Sequence, residues 1–426
     1  MSSPTTRRDT FGALKTRDFA LLWSGQSISS LGDGVFTIAL ALTALRIGKS
    51  PVDLAYVLAA RAVPSVVFAL LGGVVVDRVS RRLAMLVSDV VRGAAVGVVA
   101  LLIARGELRL WELIVMSVVF GAADAFFGPA SMAIMPELLD DHLLVQGNAL
   151  SEMSGQLAQG LIGPALGGLV VAAIGYAWSF GIDALSFVVS AMCLLAVRTR
   201  TTRERVHGTA FAEAREGIGY VRSHRWLSAS LLGAALANFF GMAPLGVLLP
   251  LLVRNVLHAS ALSLGVVFAA GGAAGVVASL VVARLGSPRL RVTALWTAYA
   301  ASSLAIVAMT VAPNVGVVAA LSAVEVGLII YGDVLWVAMM QELVPREVLG
   351  RVSSLVYLLA FSLGPLGILL GGVAATSIGV RESFLVGGLV SGLICVVVLF
   401  LPGVREPERP AAGEERDPAS DSPSPD

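Results

Sequence analysis

The chain has 426 residues, 57% of them hydrophobic and only 14% charged, with a mean hydropathy of +0.85. Soluble domains carry about 25% charged residues, so the composition excludes an ordinary water-soluble protein. A net charge of +1 offers no basic surface to nucleic acid, and the two cysteines, Cys193 and Cys395, both lie in apolar runs, which excludes a disulfide framework.

Residues 1–18 are polar, with neither a short apolar core nor a small-residue cleavage site. They are expected to form a cytoplasmic tail and not a cleaved signal peptide. Twelve apolar runs follow, roughly 19–45, 54–76, 83–104, 110–130, 151–173, 177–197, 227–253, 262–284, 292–312, 314–340, 352–376 and 383–402. About 20 such residues cross a bilayer as a helix. The expected fold is therefore an all-α polytopic membrane protein with twelve transmembrane helices. Of the 30 Lys and Arg residues, 22 fall in the segments that share a side with the termini and 6 in the loops opposite. That bias predicts both termini in the cytoplasm. Lys15 and Lys49 are the only lysines against many arginines, a usage that suggests a GC-rich bacterial genome and hence the bacterial inner membrane.

Between the second and third runs stands an abrupt cluster of charge, Gly73-Val-Val-Val-Asp77-Arg78-Val-Ser-Arg81-Arg82. A hairpin turn needs no such pattern. Asp77 would sit at a helix C-terminus, an unfavourable place for an anion, so it needs donors or cations nearby. Asp124 is a candidate partner for an arginine of this loop, and so is the Asp89–Arg92 pair one turn apart on the third helix. Static salt bridges that pin the topology are the alternative reading.

The longest connection, residues 198–226, divides the chain into a first half (19–197) and a second half (227–402), leaving a tail from 403 to 426. Within it Phe211, Ala214, Ile218 and Val221 recur with helical spacing, which predicts an amphipathic helix on the inner membrane surface. The tail is rich in Pro, Glu, Asp and Ser, cannot bury a core and is expected to be disordered. The halves repeat at an offset close to 200 residues. Pro136-Glu137-Leu138-Leu139 is echoed by Gln341-Glu342-Leu343-Val344, and Gly163-Pro164-Ala165-Leu166-Gly167-Gly168 by Gly364-Pro365-Leu366-Gly367 with Gly371-Gly372. Small residues let membrane helices approach closely, and a proline frees a carbonyl and bends the helix.

Charges inside the membrane cost a few kcal/mol each on insertion scales, which makes them functional candidates. Asp33 in the first run and Arg61 in the second fall at similar depth in the outer half of the membrane, so they can pair. Glu325, near the middle of the tenth run, has no cation in its own helix within reach. It is a candidate to take up and release a proton, with a structural hydrogen bond as the alternative. Asp333 lies two turns further on and could echo Asp124. Asn238 is a candidate polar residue of a cavity. Asp183 in the sixth run and Glu152 in the fifth read as structural. The four histidines lie in loops at unrelated spacings, so no metal site is visible. Gly48-Lys49-Ser50 lacks the first glycine of a phosphate-binding loop, so no ATP-binding motif is present and no cofactor is expected.

The loop at 73–82 resembles the signature of the major facilitator superfamily, with Ser80 where that family usually has Gly. The Gly-Pro motif resembles the antiporter signature of its drug-exporting branches, although Gln159 stands where the fuller pattern has Gly. Gly128-Pro129-Ala130, Asn148-Ala149-Leu150 and Ile182-Asp183-Ala184 with Ser186-Phe187 look like the drug:proton antiporters that include the macrolide efflux proteins and the enterobactin exporter. The resemblance implies two pseudo-symmetric six-helix halves, an inner latch at Gly73 to Arg82, and a conformational pivot at Gly163, Pro164, Gly167 and Gly168. It implies a monomer that exports an amphipathic small molecule (a drug, siderophore or secondary metabolite) in exchange for protons. With no ATP-binding motif, energy would come from an ion gradient or the substrate's own gradient, and the intramembrane residues Asp33, Arg61, Asn238, Glu325 and Asp333 are the proton or substrate candidates. A facilitator or importer on the same fold, and a scaffold or sensor that no longer transports, remain the alternatives. An enzyme is the weakest reading, since no nucleophile–base set appears.

Overall fold

A computed structural model of the chain describes residues 12–76, 79–199, 210–286 and 288–408. Among the described residues twelve helices are long and apolar enough to cross a membrane. The first six are α1 (Arg17–Ile47), α2 (Pro51–Val76), α3 (Arg81–Arg105), α4 (Leu110–Leu138), α5 (His142–Ile174) and α6 (Tyr176–Ala196). The second six are α7 (Arg225–Val256), α8 (Ala261–Leu285), α9 (Arg291–Met309), α10 (Val315–Leu343), α11 (Arg351–Ser377) and α12 (Val380–Phe400). A linker helix, Ala210–Ser223, joins the halves.

Local chemistry places the ends. Ser80, Ser260 and Asn314 each accept a hydrogen bond from a backbone N–H of the first turn they precede, which caps α3, α8 and α10. The serine in place of a glycine before α3 thus has a local job. Gly175 and Gly379 occupy matching turns in the two halves, α5 to α6 and α11 to α12, with φ of 89° and 101°. Only glycine takes that conformation without strain.

In the first half the helix outruns its apolar run: the run ends near residue 130, yet α4 continues to Leu138 and helix resumes at Asp141. Ser131, Glu137 and their neighbours lower the hydropathy without breaking the backbone hydrogen bonds. In the second half α10 ends at Leu343, within a few residues of its run, and a helical segment from Arg346 leads into α11. The Gly-Pro motifs mark real interruptions. In α5 a π-helical segment, Leu157–Ile162, precedes Pro164, and in α11 helix stops at Phe361 and restarts at Gly364. A proline has no N–H for the ladder, so the turn before it must rearrange.

Three apolar cores show how the halves meet. One contains Phe36 and Leu54 from the first half with Val247, Leu264 and Ile368 from the second. It therefore joins the halves, at the face opposite the termini. The other two lie towards the face that carries the termini and stay within single halves, Phe19, Met85, Ile134 and Leu194 in one, Trp296, Met339 and Val352 in the other. Among the described residues the halves share an apolar core at the opposite face and keep separate cores at the termini face.

Candidate functional site

The join between the halves is built from small residues, and the two Gly-Pro motifs build it in the same way. A β-carbon on Gly167 would lie 2.9 Å from the Val35 carbonyl oxygen, and Gly163 lies against Gly34, so both seat α5 on α1 within the first half. Gly168 turns the other way: a β-carbon there would lie 3.0 Å from Cα of Gly265 on α8. Gly160 meets Gly272 on the same helix two turns away. In the second half Gly367 and Gly371 seat α11 on α7, against Phe239 and Ala243, while Gly372 faces Val52 and Ala55 of α2. The seam between halves thus consists of α5 on α8 and α11 on α2. Of the motif Gly163, Pro164, Gly167 and Gly168, Gly168 and the Pro164 carbonyl touch the other half.

At the termini face the loop residues take short-range partners. Arg81 forms an ion pair with Glu137 at the end of α4, and Arg82 donates to the carbonyls of Leu194 and Leu195 at 2.6 Å, closing the C-terminus of α6. The second half repeats the first of these: Arg291 at the start of α9 pairs with Glu342 at the end of α10. Gly73 lies near the end of α2, and Asp77 and Arg78 fall outside the described residues. Asp124 does not reach the loop. It lies 14 residues from the end of α4, about 21 Å at the helical rise, and accepts instead from Arg92 at 3.0 Å. Arg92 also donates to Asp89 at 2.6 Å, with both side chains buried, and is flanked by the rings of Phe127 and Phe187 at 4.3 and 4.6 Å.

Asp33 and Arg61 do not pair. Ser65 on α2 bonds both the Arg61 and Gly121 carbonyls, at 3.1 Å each, which holds α2 close against α4. The guanidinium then lies over Phe120 and Phe36, at 4.5 and 5.4 Å from their centres. A delocalised cation is well accommodated on ring faces. Asp33 keeps one buried oxygen with no hydrogen-bond partner. Beside it, Asp183 and Ser186 press on Gly32 from α6. Asp183 is fully buried, receives a long hydrogen bond (3.5 Å) from Ser186, and also has an oxygen without a partner. The charges acting on Asp33 come from Arg92, Arg61, Asp124 and Asp89, and those on Asp183 include Asp33. Four acids and two arginines therefore lie near one another in the first half, Asp124 half-exposed among them. Asp183 read as structural from its place near the outer end of the sixth run; the packing of α6 on α1 sets it beside Gly32 and Asp33.

The second half holds the cavity. It measures about 760 Å³ and is lined mainly by α7, α9, α10, α11 and α12. Glu152 comes from the first half. It reaches from Ile306 and Glu325 in the interior to Gln341, Leu349 and Ser353 at the termini face. Glu325 is fully buried, and both carboxyl oxygens lack a partner. Asp333 accepts a hydrogen bond from the Tyr299 hydroxyl at 2.7 Å. It faces Tyr299 much as Asp124 faces Arg92, so the second half sets a neutral phenol where the first sets a cation. Asn238 lines the same space and donates to the Ala360 carbonyl at 3.0 Å. Trp296, Tyr299 and Trp336 supply aromatic wall. No group of His, Cys, Asp and Glu among the described residues is arranged to hold a metal.

The chain matches the family model described as transmembrane secretion effector over residues 8–420. It belongs to that family, a branch of the major facilitator superfamily. Relatives of this transporter include macrolide efflux protein A of Streptococcus pyogenes, 24% identical over 89% of this chain and 94% of that protein. The multidrug efflux pump Tap of Mycolicibacterium fortuitum is 26% identical over 91% and 95%. The Tap pump of Mycobacterium tuberculosis H37Rv is 28% identical over 89% and 92%. The fold matches the crystal structure of a bacterial homolog of the human lysosomal transporter Spinster, in an inward-facing and unoccupied conformation, with a TM-score of 0.70. That match covers 96% of this chain and 100% of that one at 12% identity. Membership of a transporter family sets the transporter apart from enzymes.

Proposed function

We propose that the protein is a secondary active exporter of an amphipathic small molecule, working by proton antiport with alternating access in the bacterial inner membrane, both termini cytoplasmic. One observation carries the reading: a cavity large enough for a drug-sized molecule opens towards the termini face, is sealed from the opposite face, and ends at Glu325. This is the state in which an exporter loads cargo. The names of the relatives, efflux protein and efflux pump, favour export over import.

A buried carboxylate with no partner must be compensated, by a proton or by a positively charged ligand. Glu325 is the group through which arrival of cargo displaces a proton. Rocking then parts the small-residue seam and closes the termini face, where the 73–82 loop acts as the latch of the outward-facing state. The acids around Asp33 and Asp183 form a second candidate proton station.

The test is proton movement in liposomes holding the purified protein under an imposed pH gradient, with a panel of lipophilic drugs and siderophores, for wild type and Glu325→Gln. Uphill movement of a compound that dissipates the gradient, and that is lost in the variant, supports the reading. Downhill movement indifferent to Glu325 makes the protein a facilitator.

A further inference from the structure

Two carboxylates lie on one wall of the cavity, both on α10. Glu325 and Asp333 are eight residues apart, about 12 Å along the axis at the helical rise of 1.5 Å. Ile329 lies midway, one turn from each, and lines the cavity too. The stripe therefore reads acid, apolar, acid. Glu325 is the deep station, fully buried with both oxygens unpartnered. Asp333 is the outer station, open to the cavity, with the Tyr299 hydroxyl as its donor. The rings of Trp296 and Trp336 face the same space. Among the described residues that line it there is no Lys, Arg or His. The described lining thus carries three acids, Glu325 and Asp333 on α10 and Glu152 from the first half, and no counter-charge.

We propose that the cargo is an amphipathic organic dication whose two positive centres stand about 12 Å apart. One centre meets Glu325, the other meets Asp333, and the apolar segment between them lies on Ile329 and the indole rings. This rests on the reading above that cargo occupies this cavity. A cation supplies the partner that Glu325 lacks, and indole faces attract cations further. An anion is repelled at both stations.

The test uses the full-length protein in lipid nanodiscs and the quenching of tryptophan fluorescence, since Trp296 and Trp336 lie in the cavity. The probes are bis-quaternary ammonium alkanes of increasing spacer length, each beside the mono-quaternary compound of equal chain length, with tetraphenylborate as the anion. Expected is an optimum at a nitrogen separation of about 12 Å. There the dication binds about tenfold tighter than its singly charged partner, and Asp333→Asn removes that difference. Equal affinity of the single and double cations at every length overturns the proposal, as does tetraphenylborate binding as tightly as the best dication. The spacer series in the unmodified protein decides the matter even where the variant fails to fold. In liposomes, dication binding without transport sinks the export reading and leaves this one standing. Uphill export of neutral compounds with no preference for the dication does the reverse.

Discussion

Gly168 is where a single added side chain should change which face of the protein is open. A β-carbon there would lie 2.8 Å from the Ala261 carbonyl oxygen and 3.0 Å from Cα of Gly265, both backbone atoms of the other half. Carbon atoms rest about 3.5–4.0 Å apart, so the seam must part by roughly 0.5–1 Å. Overpacking of that kind costs about 1–3 kcal/mol. The cost falls only on the state in which α5 and α8 touch, because in the other state the seam is open. A bias of this size shifts a two-state equilibrium by about 5- to 150-fold. The assay places a cysteine at Val337, which lines the cavity and is exposed there, in a background with Cys193 and Cys395 replaced by serine. A membrane-impermeant maleimide supplied from the termini face should label it at a rate that falls by that factor in Gly168→Val and by less in Gly168→Ala. An unchanged rate in a correctly folded valine variant would refute the idea that this contact closes the opposite face.

Other consequences can be checked directly. Arg92→Met leaves Asp89 buried without its counter-charge and should cost about 3–5 kcal/mol in stability. The double change Asp89→Asn with Arg92→Met should recover much of that loss, so equal thermal unfolding of the single and double variants would contradict the buried pair. Glu137 is only 12% exposed in its ion pair whereas Glu342 is 55% exposed in the matching one. Glu137→Ala should therefore lower the melting temperature more than Glu342→Ala, for which a loss below about 1 kcal/mol is expected. Asp77→Ala should abolish export while the protein still reaches the membrane in normal amount; full export by that variant would remove the latch.

The twelve spans were legible because hydropathy follows the bilayer, and the paired Gly-Pro motifs because small residues mark close helix contacts. What hydropathy does not register is a helix that continues past the apolar zone, and this one omission had consequences. It set Asp124 too near the loop and so misassigned its partner, which is Arg92. Equal depth suggested that Asp33 and Arg61 meet, but depth carries no rotational information, and the guanidinium turns to Phe120 instead. The isolation of Glu325 was visible as the lack of a cation in its helix, although no pattern could show that the described residues of neighbouring helices offer it no partner either. The repeat held a further signal: aligning Pro136-Glu137-Leu138-Leu139 with Gln341-Glu342-Leu343-Val344 sets Arg81 and Arg291 at corresponding helix starts, where both form ion pairs. Tyr299 and the tryptophans of the cavity had no such marker, since aromatic residues in apolar runs are common.

The stretch after α12 read as the start of a disordered tail, but residues 403–408 are ordered: Val404 is buried in the core of the second half and Arg405 donates to the Leu399 carbonyl at 3.0 Å. Glu408 accepts from the backbone N–H of Thr293 at 2.6 Å and from its hydroxyl at 2.9 Å, clasping the first turn of α9 from more than a hundred residues away. A carboxylate suits that end of a helix. Fusion partners joined beyond Glu408 leave the clasp closed, whereas a stop after Leu401 removes it and unbuttons the start of α9, at a cost of about 1 kcal/mol.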